Sequence, residues 1–191
     1  FGGGVSTITG GAFLVNGRTY AGQTNINNSL DVVDYRIEQG GTANFNVSNG
    51  TTTFGSFMFV SGNGTANFHE GFVANSFVDL NNNDATINIA AGKNVVADIG
   101  GNNGGSVNFA GGNSQLTGTI GGGEITLRVG SAGAGVGASS QGTLVVTGDI
   151  DVAAVSLANN STLDARANIT GDIVTTTDGT GTLTLTNGNQ T

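Results

Sequence analysis

His69 is the only histidine in the chain and Glu70 stands beside it, so this pair is the first place to look for acid–base chemistry. The surrounding residues, TANFHE, alternate like a strand, and neighbouring strand residues point to opposite faces. The two groups therefore cannot readily serve one proton, and His69 reads as an ordinary surface histidine. With no second histidine and no cysteine, the chain offers no triad, no thiol nucleophile and no Cys-based zinc site. Its serines lack a Gly-x-Ser-x-Gly elbow.

The remaining chemistry-bearing groups are carboxylates and glycines. Asp149, Asp151 and Asp172 recur within two Gly-Asp-Ile units, and on neighbouring coils they are weak candidates for holding Ca²⁺. Against this, the calcium nonapeptide Gly-Gly-x-Gly-x-Asp does not occur, so a solvated row of carboxylates is the plainer reading. Gly133-x-Gly135-x-x-Ala138 matches a relaxed dinucleotide fingerprint, but no helix or acidic partner follows it. Polysaccharide-cleaving β-helices need acids clustered with Lys or Arg, and this chain has only five basic residues. No catalytic residue, cofactor or enzymatic activity is expected.

The elements that must carry these groups are repeats. Val107–Ile120, VNFAGGNSQLTGTI, is a short alternating strand, a Gly-Asn turn and a second short strand entered through Thr-Gly. Its first half returns as TANFNV, TANFHE, ATINIA, EITLRV, GTLVVTG and GTLTLTNG, the two TANF copies standing 23 residues apart. Its second half returns as ADIGG, LTGTIGG, VTGDI and ITGDI, which places isoleucine at 99, 120, 150 and 173. A recurrence every ~20–30 residues marks a solenoid, in which strands too short to close a core alone pair with their equivalents in the next coil. The expectation is an all-β, elongated parallel β-helix with degenerate repeats of about 20–23 residues and about seven coils.

Alternation assigns Phe45, Phe68, Ile87, Phe109, Ile120, Leu127, Ile150 and Ile173 to the inside, with Thr and Asn facing out. The early coils are rich in phenylalanine (Phe45, Phe54, Phe57, Phe59, Phe68, Phe72, Phe77), read here as a wide core that narrows where Val, Ile and Leu take over. Residues 1–39 are expected to form an irregular N-terminal cap or a first coil, Gly-rich over 1–11 and least repetitive over 12–39. Within them, Leu30, Val33 and Ile37 sit at helical spacing, although Val32, Val33, Tyr35 and Ile37 suit a strand equally well. Residues 40–191 carry the solenoid repeats, interrupted by a Gly-rich loop at 130–142.

Composition narrows the partners. Glycine is 35 of 191 residues, proline, cysteine and tryptophan are absent, charged residues are 9% and the net charge is −8. So acidic and lysine-poor a surface argues against nucleic acid or an anionic membrane as a ligand. No run approaches the ~18 apolar residues of a membrane-spanning helix. The chain starts at Phe1 and ends in an apparent new repeat, which suggests a segment of a longer protein. The terminal Gly181, Thr182, Leu183, Thr184, Leu185 and Thr186 alternate without charge or proline, and so form a candidate assembly edge open to strand addition.

SQLTGTIGGG at Ser114–Gly123, GTLVVTGDI at Gly142–Ile150, ITGDIVTTT at Ile169–Thr177 and the closing GTLTLTNGNQT resemble repeats in passenger domains of bacterial autotransporters. Rickettsial outer-membrane proteins A and B, large surface antigens, are the nearest in character. The resemblance implies a right-handed β-helical stalk, exported through a separate C-terminal barrel and displayed extracellularly on the bacterial outer membrane. It implies adhesion to host cells, through a host surface protein or glycan, or a structural role in which copies assemble into a surface layer or filament. It supplies no catalytic residue.

Overall fold

Short β-branched and aromatic runs punctuated by Gly and Asn can make only short strands. The computed structural model describes residues 5–8, 12–48, 50–131, 136–158, 160–175 and 180–186, and these form nineteen strands and no helix. In chain order they are β1 (Val5–Ile8), β2 (Ala12–Tyr20), β3 (Gln23–Ile26), β4 (Leu30–Glu38), β5 (Thr42–Phe45), β6 (Thr52–Val60) and β7 (Thr65–Phe68). There follow β8 (Phe72–Leu80), β9 (Thr86–Ile89), β10 (Asn94–Gly100), β11 (Ser106–Phe109), β12 (Ser114–Thr117) and β13 (Ile120–Gly121). The last are β14 (Thr126–Val129), β15 (Thr143–Val146), β16 (Ile150–Leu157), β17 (Thr162–Ala165), β18 (Ile169–Thr175) and β19 (Thr182–Leu185).

Every pairing is parallel and joins a strand to its counterpart one coil on, which makes a three-faced β-solenoid of about eight turns. The first face is built by β1, β3, β5, β7, β9, β11, β14 and the second halves of β16 and β18. The second face takes the first halves of β2, β4, β6, β8 and β10, then β12, β15, β17 and β19. The third takes the second halves of β2, β4, β6, β8 and β10, then β13 and the first halves of β16 and β18. At the corner between β12 and β13, Gly118 has φ 134°, and a Cβ there would lie 2.1 Å from the carbonyl oxygen of Ala97. Only glycine fits that close approach between coils.

Leu30–Glu38 is strand β4, not a helix. Leu30, Val32, Tyr35 and Ile37 are buried while Val33 is half-buried, and the backbone of β4 pairs with β2 and β6 on either side. Tertiary pairing has overridden a helical spacing that a strand with one register shift satisfies as well. Residues 12–38 thus contribute regular rungs to the stack.

Inside, like stacks on like. Phe45 and Phe68 lie parallel at 4.5 Å between centroids, Phe68 and Phe72 at 4.1 Å, and Tyr35 meets Phe45 edge-on at 5.6 Å. Ile99, Ile120, Ile150 and Ile169 form one continuous inward row. Ile173 does not belong to that row and is 41% exposed, contrary to the repeat alignment. The β16–β18 pairing matches Ile150 with Ile169 and, after a register shift, Val155 with Ile173. Among the described residues no strand covers the other edge of β18, so Ile173 is left open. Phe57, Phe59 and Phe77 are also outside the core.

The outer side of the first face carries a ladder of asparagines. Nδ2 of Asn44 donates to Oδ1 of Asn25, and Asn67, Asn88 and Asn108 each donate to the asparagine one coil before, at 2.7–2.8 Å. The Arg128 guanidinium closes the row, 3.4 Å from Asn108 Oδ1 and 3.1 Å from Ser106 Oγ. Asn67, Asn88 and Asn108 are buried. The described part of the Gly-rich loop lies back on the stack, with Val136 buried against Ala90 and Ala110 and the Ser140 N–H donating to the Ala110 carbonyl.

Two stability measurements follow from this packing. Ile150→Asp buries an unpaired carboxylate in the isoleucine row and is expected to cost more than about 3 kcal/mol, whereas Ile173→Asp changes stability by less than about 0.5 kcal/mol. Urea titrations in which the two variants unfold alike would show the inward row to be misassigned. Asn88→Ala removes a ladder member and leaves a buried amide on each side short of a partner, at a cost of about 1–3 kcal/mol by the same titration.

Candidate binding face

The strands of the third face decide which side chains meet solvent. In β6, Thr52, Phe54, Met58 and Val60 point inward, so the alternate residues Phe57 and Phe59 point outward. In β8, Phe72, Ala74, Val78 and Leu80 point inward, and Phe77 is 40% exposed. The pairing registers then align these aromatics into two outward rows. One runs Asn16, Asp34, Phe57, Phe77, Asp98, and the other Arg18, Arg36, Phe59, Asp79, Gly100. The second continues to Gly121, Asp151 and Thr170.

Cations sit on the aromatic end of this face. The Arg36 guanidinium lies 5.1 Å from the Phe57 ring centre and 5.4 Å from that of Phe59, and Arg18 lies 4.9 Å from that of Tyr20. Each such contact is worth about 0.5–1 kcal/mol at an exposed site. Arg18 Nε also pairs with the Glu38 carboxylate at 2.5 Å. Asp79 follows Phe59 in its row, and burial there pushes its carboxyl above the ordinary 3.8.

Beyond Phe77 the surface dips. The Phe77 ring reaches across Gly100, where an added Cβ would lie 2.6 Å from the ring tip. Gly121 and Gly122 floor a groove of about 220 Å³ that Thr119, Asn102 and Phe77, whose ring covers the buried Gly100, edge. Asn102 also borders a polar cleft of about 460 Å³, lined by Asn81, Asn82, Asn83, Asn103 and Glu124 at the following turns. A third depression of about 420 Å³ opens between turns and the second face, beside the Lys93–Glu70 ion pair at 2.8 Å.

The residues singled out from the sequence are dispersed. His69 is half-buried beyond the end of β7, and Glu70 is engaged by Lys93. Asp149 accepts the backbone N–H of Asn168 at 3.0 Å, Asp151 lies on the third face beside Thr170, and Asp172 stands beside Ala154 on the first face. The two Gly-Asp-Ile units are out of register, so their carboxylates do not converge, and no group of three His, Cys, Asp or Glu residues that could hold a metal occurs among the described residues. Gly133 and Gly135 lie outside the described residues. On the edge strand β19, Leu183 pairs with Leu163 and Leu185 with Ala165, and Leu185 is 46% exposed. The Thr186 hydroxyl donates to Asp164, and with Arg166 Nε at 3.1 Å this holds the Asp164 carboxyl below its usual range.

The aromatic row is what sequence reasoning missed. The run Phe57–Val60 is apolar on both faces, so composition reads it as core, but Met58 and Val60 take the inward positions and leave Phe57 and Phe59 outward. No protein-family model, curated protein or solved structure matches this chain, and the face is interpreted from its own chemistry.

The position of Asp79 carries a pH test. Because its folded-state carboxyl is raised, the fold holds that proton more tightly than the unfolded chain does, and this contribution is present at low pH and lost as pH rises through the folded value. At pH 7 its charge opposes folding. Asp79→Asn is therefore expected to raise the Tm slightly at pH 7, with the gain shrinking at pH 3. A gain that grows on acidification would mean that the carboxylate is held by a favourable partner instead.

Proposed function

We propose that this chain is a non-enzymatic adhesive segment of a bacterial cell-surface protein, a stalk that engages a host surface through its third face. The observation that carries the reading is the outward cluster of exposed Arg36 and Phe77 with half-buried Phe57 and Phe59, held in register on consecutive coils. Exposed aromatics with arginine are the side chains that most often anchor protein and glycan interfaces, and they are costly to leave in water without such use. Support for extracellular display comes from the autotransporter-like repeats and the hydroxyl-and-amide surface.

A second reading, self-assembly by strand addition, draws on a different observation. Ile173, Val174 and Leu185 are exposed on the last described rungs, where β18 and β19 each have one open edge among the described residues. A further coil or a second copy docking there would cover these side chains and pair the free backbone groups.

One experiment addresses each reading. Beads coated with the protein are expected to adhere to cultured epithelial cells, and Phe57→Ser/Phe59→Ser on the third face should reduce adhesion about tenfold while leaving the circular dichroism spectrum unchanged. Wild-type beads that adhere no better than albumin-coated beads would defeat the adhesive reading. For assembly, light scattering of the wild-type protein against Ile173→Lys/Leu185→Lys is the measurement, with larger particles expected only for the wild type. Equal particle size in the two would remove the β18–β19 edge as the joint.

A further inference from the structure

The groove beside Phe77 and the amide cleft beyond it are one composite surface, because Asn102 borders both. Its chemistry changes sharply over a short distance. On one side are an exposed aromatic ring and a floor of glycines without side chains. On the other, Asn83, Asn102 and Glu124 offer exposed amides and a carboxylate that form no side-chain hydrogen bond among the described residues, while Asn103 Nδ2 donates to Asn81 Oδ1 at 2.5 Å. An apolar peptide side chain laid in this groove would bury the edge of the amide cleft without satisfying it, which costs about 1–3 kcal/mol per unpaired group. A ligand with an apolar face and a hydroxylated rim meets both halves.

We propose that this composite groove is a subsite for a neutral carbohydrate, its ring lying against Phe77 over Gly121 and Gly122 and its hydroxyls taken by Asn102, Asn83 and Glu124. Neutrality follows from the charge. Glu124 is the only charged residue lining either hollow, and the whole chain carries −8, so sulfated or carboxylated sugars are repelled. The flat glycine floor leaves room for the ring, and the bordering Thr119 is already committed, its N–H and hydroxyl both donating to Asp98 at 2.8 and 2.9 Å. Thr119 is therefore an edge of the site and not a hydrogen-bonding partner. The proposal deepens the adhesive reading by naming what the face recognises, and it rests on that reading.

The structure supplies a probe of the groove that leaves the aromatic ring in place. A Cβ at Gly121 would meet Asp151 at 3.5 Å, an ordinary van der Waals contact with no positive φ to relieve, so Gly121→Val is expected to fold and to fill the floor. Saturation-transfer NMR on the full chain would use tetrasaccharides of glucose, mannose, galactose and N-acetylglucosamine, with a heparin-derived tetrasaccharide as the charged comparator. At least one neutral probe is expected to bind and the heparin probe to fail. Gly121→Val and Phe77→Ala should weaken binding about tenfold or more, and Asn102→Ala about two- to tenfold. Arg166→Ala, outside the groove and outside the aromatic cluster, should stay within about twofold of the wild type. Melting curves establish that each variant is folded. Binding unaffected by Gly121→Val, preference for the heparin probe, or no binding by any neutral probe overturns the proposal. If the beads still adhere to cells when no neutral probe binds, the adhesive face stands and only its carbohydrate assignment falls. Sugar binding without bead adhesion would keep the subsite and remove the adhesive role.

Discussion

Everything in this molecule depends on the parallel backbone ladder from one coil to the next. Bonds such as Thr65 N–H to the Gly41 carbonyl, Thr86 to Gly64, Ser106 to Ala85 and Thr126 to Gly105, each at 2.9 Å, repeat around the stack. A strand of four residues has too little apolar area to hold itself in place, and it persists because two neighbours saturate both its edges. The ladder also sets composition. Once a residue is in register with its counterpart, its side chain stacks on that counterpart, and stacking rewards side chains that bond or pack with copies of themselves. The asparagine row, the isoleucine row and the phenylalanine pair are three outcomes of that one constraint.

The same constraint turns a surface into a linear display. Outward residues of the third face cannot be scattered, since each is held one rung above the next. Chemistry therefore changes along the axis in steps: arginine over aromatic rings, then Asp79, then bare glycine, then Asp151. A globular domain assembles a recognition site from distant loops. Here the third face is read off consecutive coils, and the neighbouring Gly100 and Gly121 leave a gap in the row between Asp79 and Asp151.

Much of this was legible in the sequence wherever the repeat was literal. The two TANF copies pair residue for residue, Thr42 with Thr65 through Phe45 with Phe68, and the inward assignments of Phe45, Phe68, Ile87, Phe109, Ile120, Leu127 and Ile150 hold. Legibility failed at the corners. Identical Gly-Asp-Ile letters at 148–150 and 171–173 are not structurally equivalent, because Gly148 leads into β16 while Gly171 lies within β18, and the register shift moves the second isoleucine to the next face. Neither a letter match nor a period encodes how many residues a corner consumes. For the third face the signal was present in the parity of β6 and β8, but an apolar run such as Phe57–Val60 hides parity behind composition. The amide cleft was invisible for another reason. Asn81–Asn83, Asn102–Asn103 and Glu124 come from three successive turns and become neighbours only when the coil lengths are known.

The asparagine row ends at Arg128, and this gives the stack an uneven mechanical character. From β3 to β14 each rung is tied to the next by a side-chain bond as well as by backbone. Past that point the positions in register with Arg128 are Ser156 and Val174, which cannot extend an amide row. Under tension along the axis, coils yield one after another from an end and not all together. The coils from β15 onward would peel away at low force, and unravelling would stall where the guanidinium clamps the first amide. A stack built this way would give length under load past Arg128 while keeping the coils that carry the aromatic face in shape.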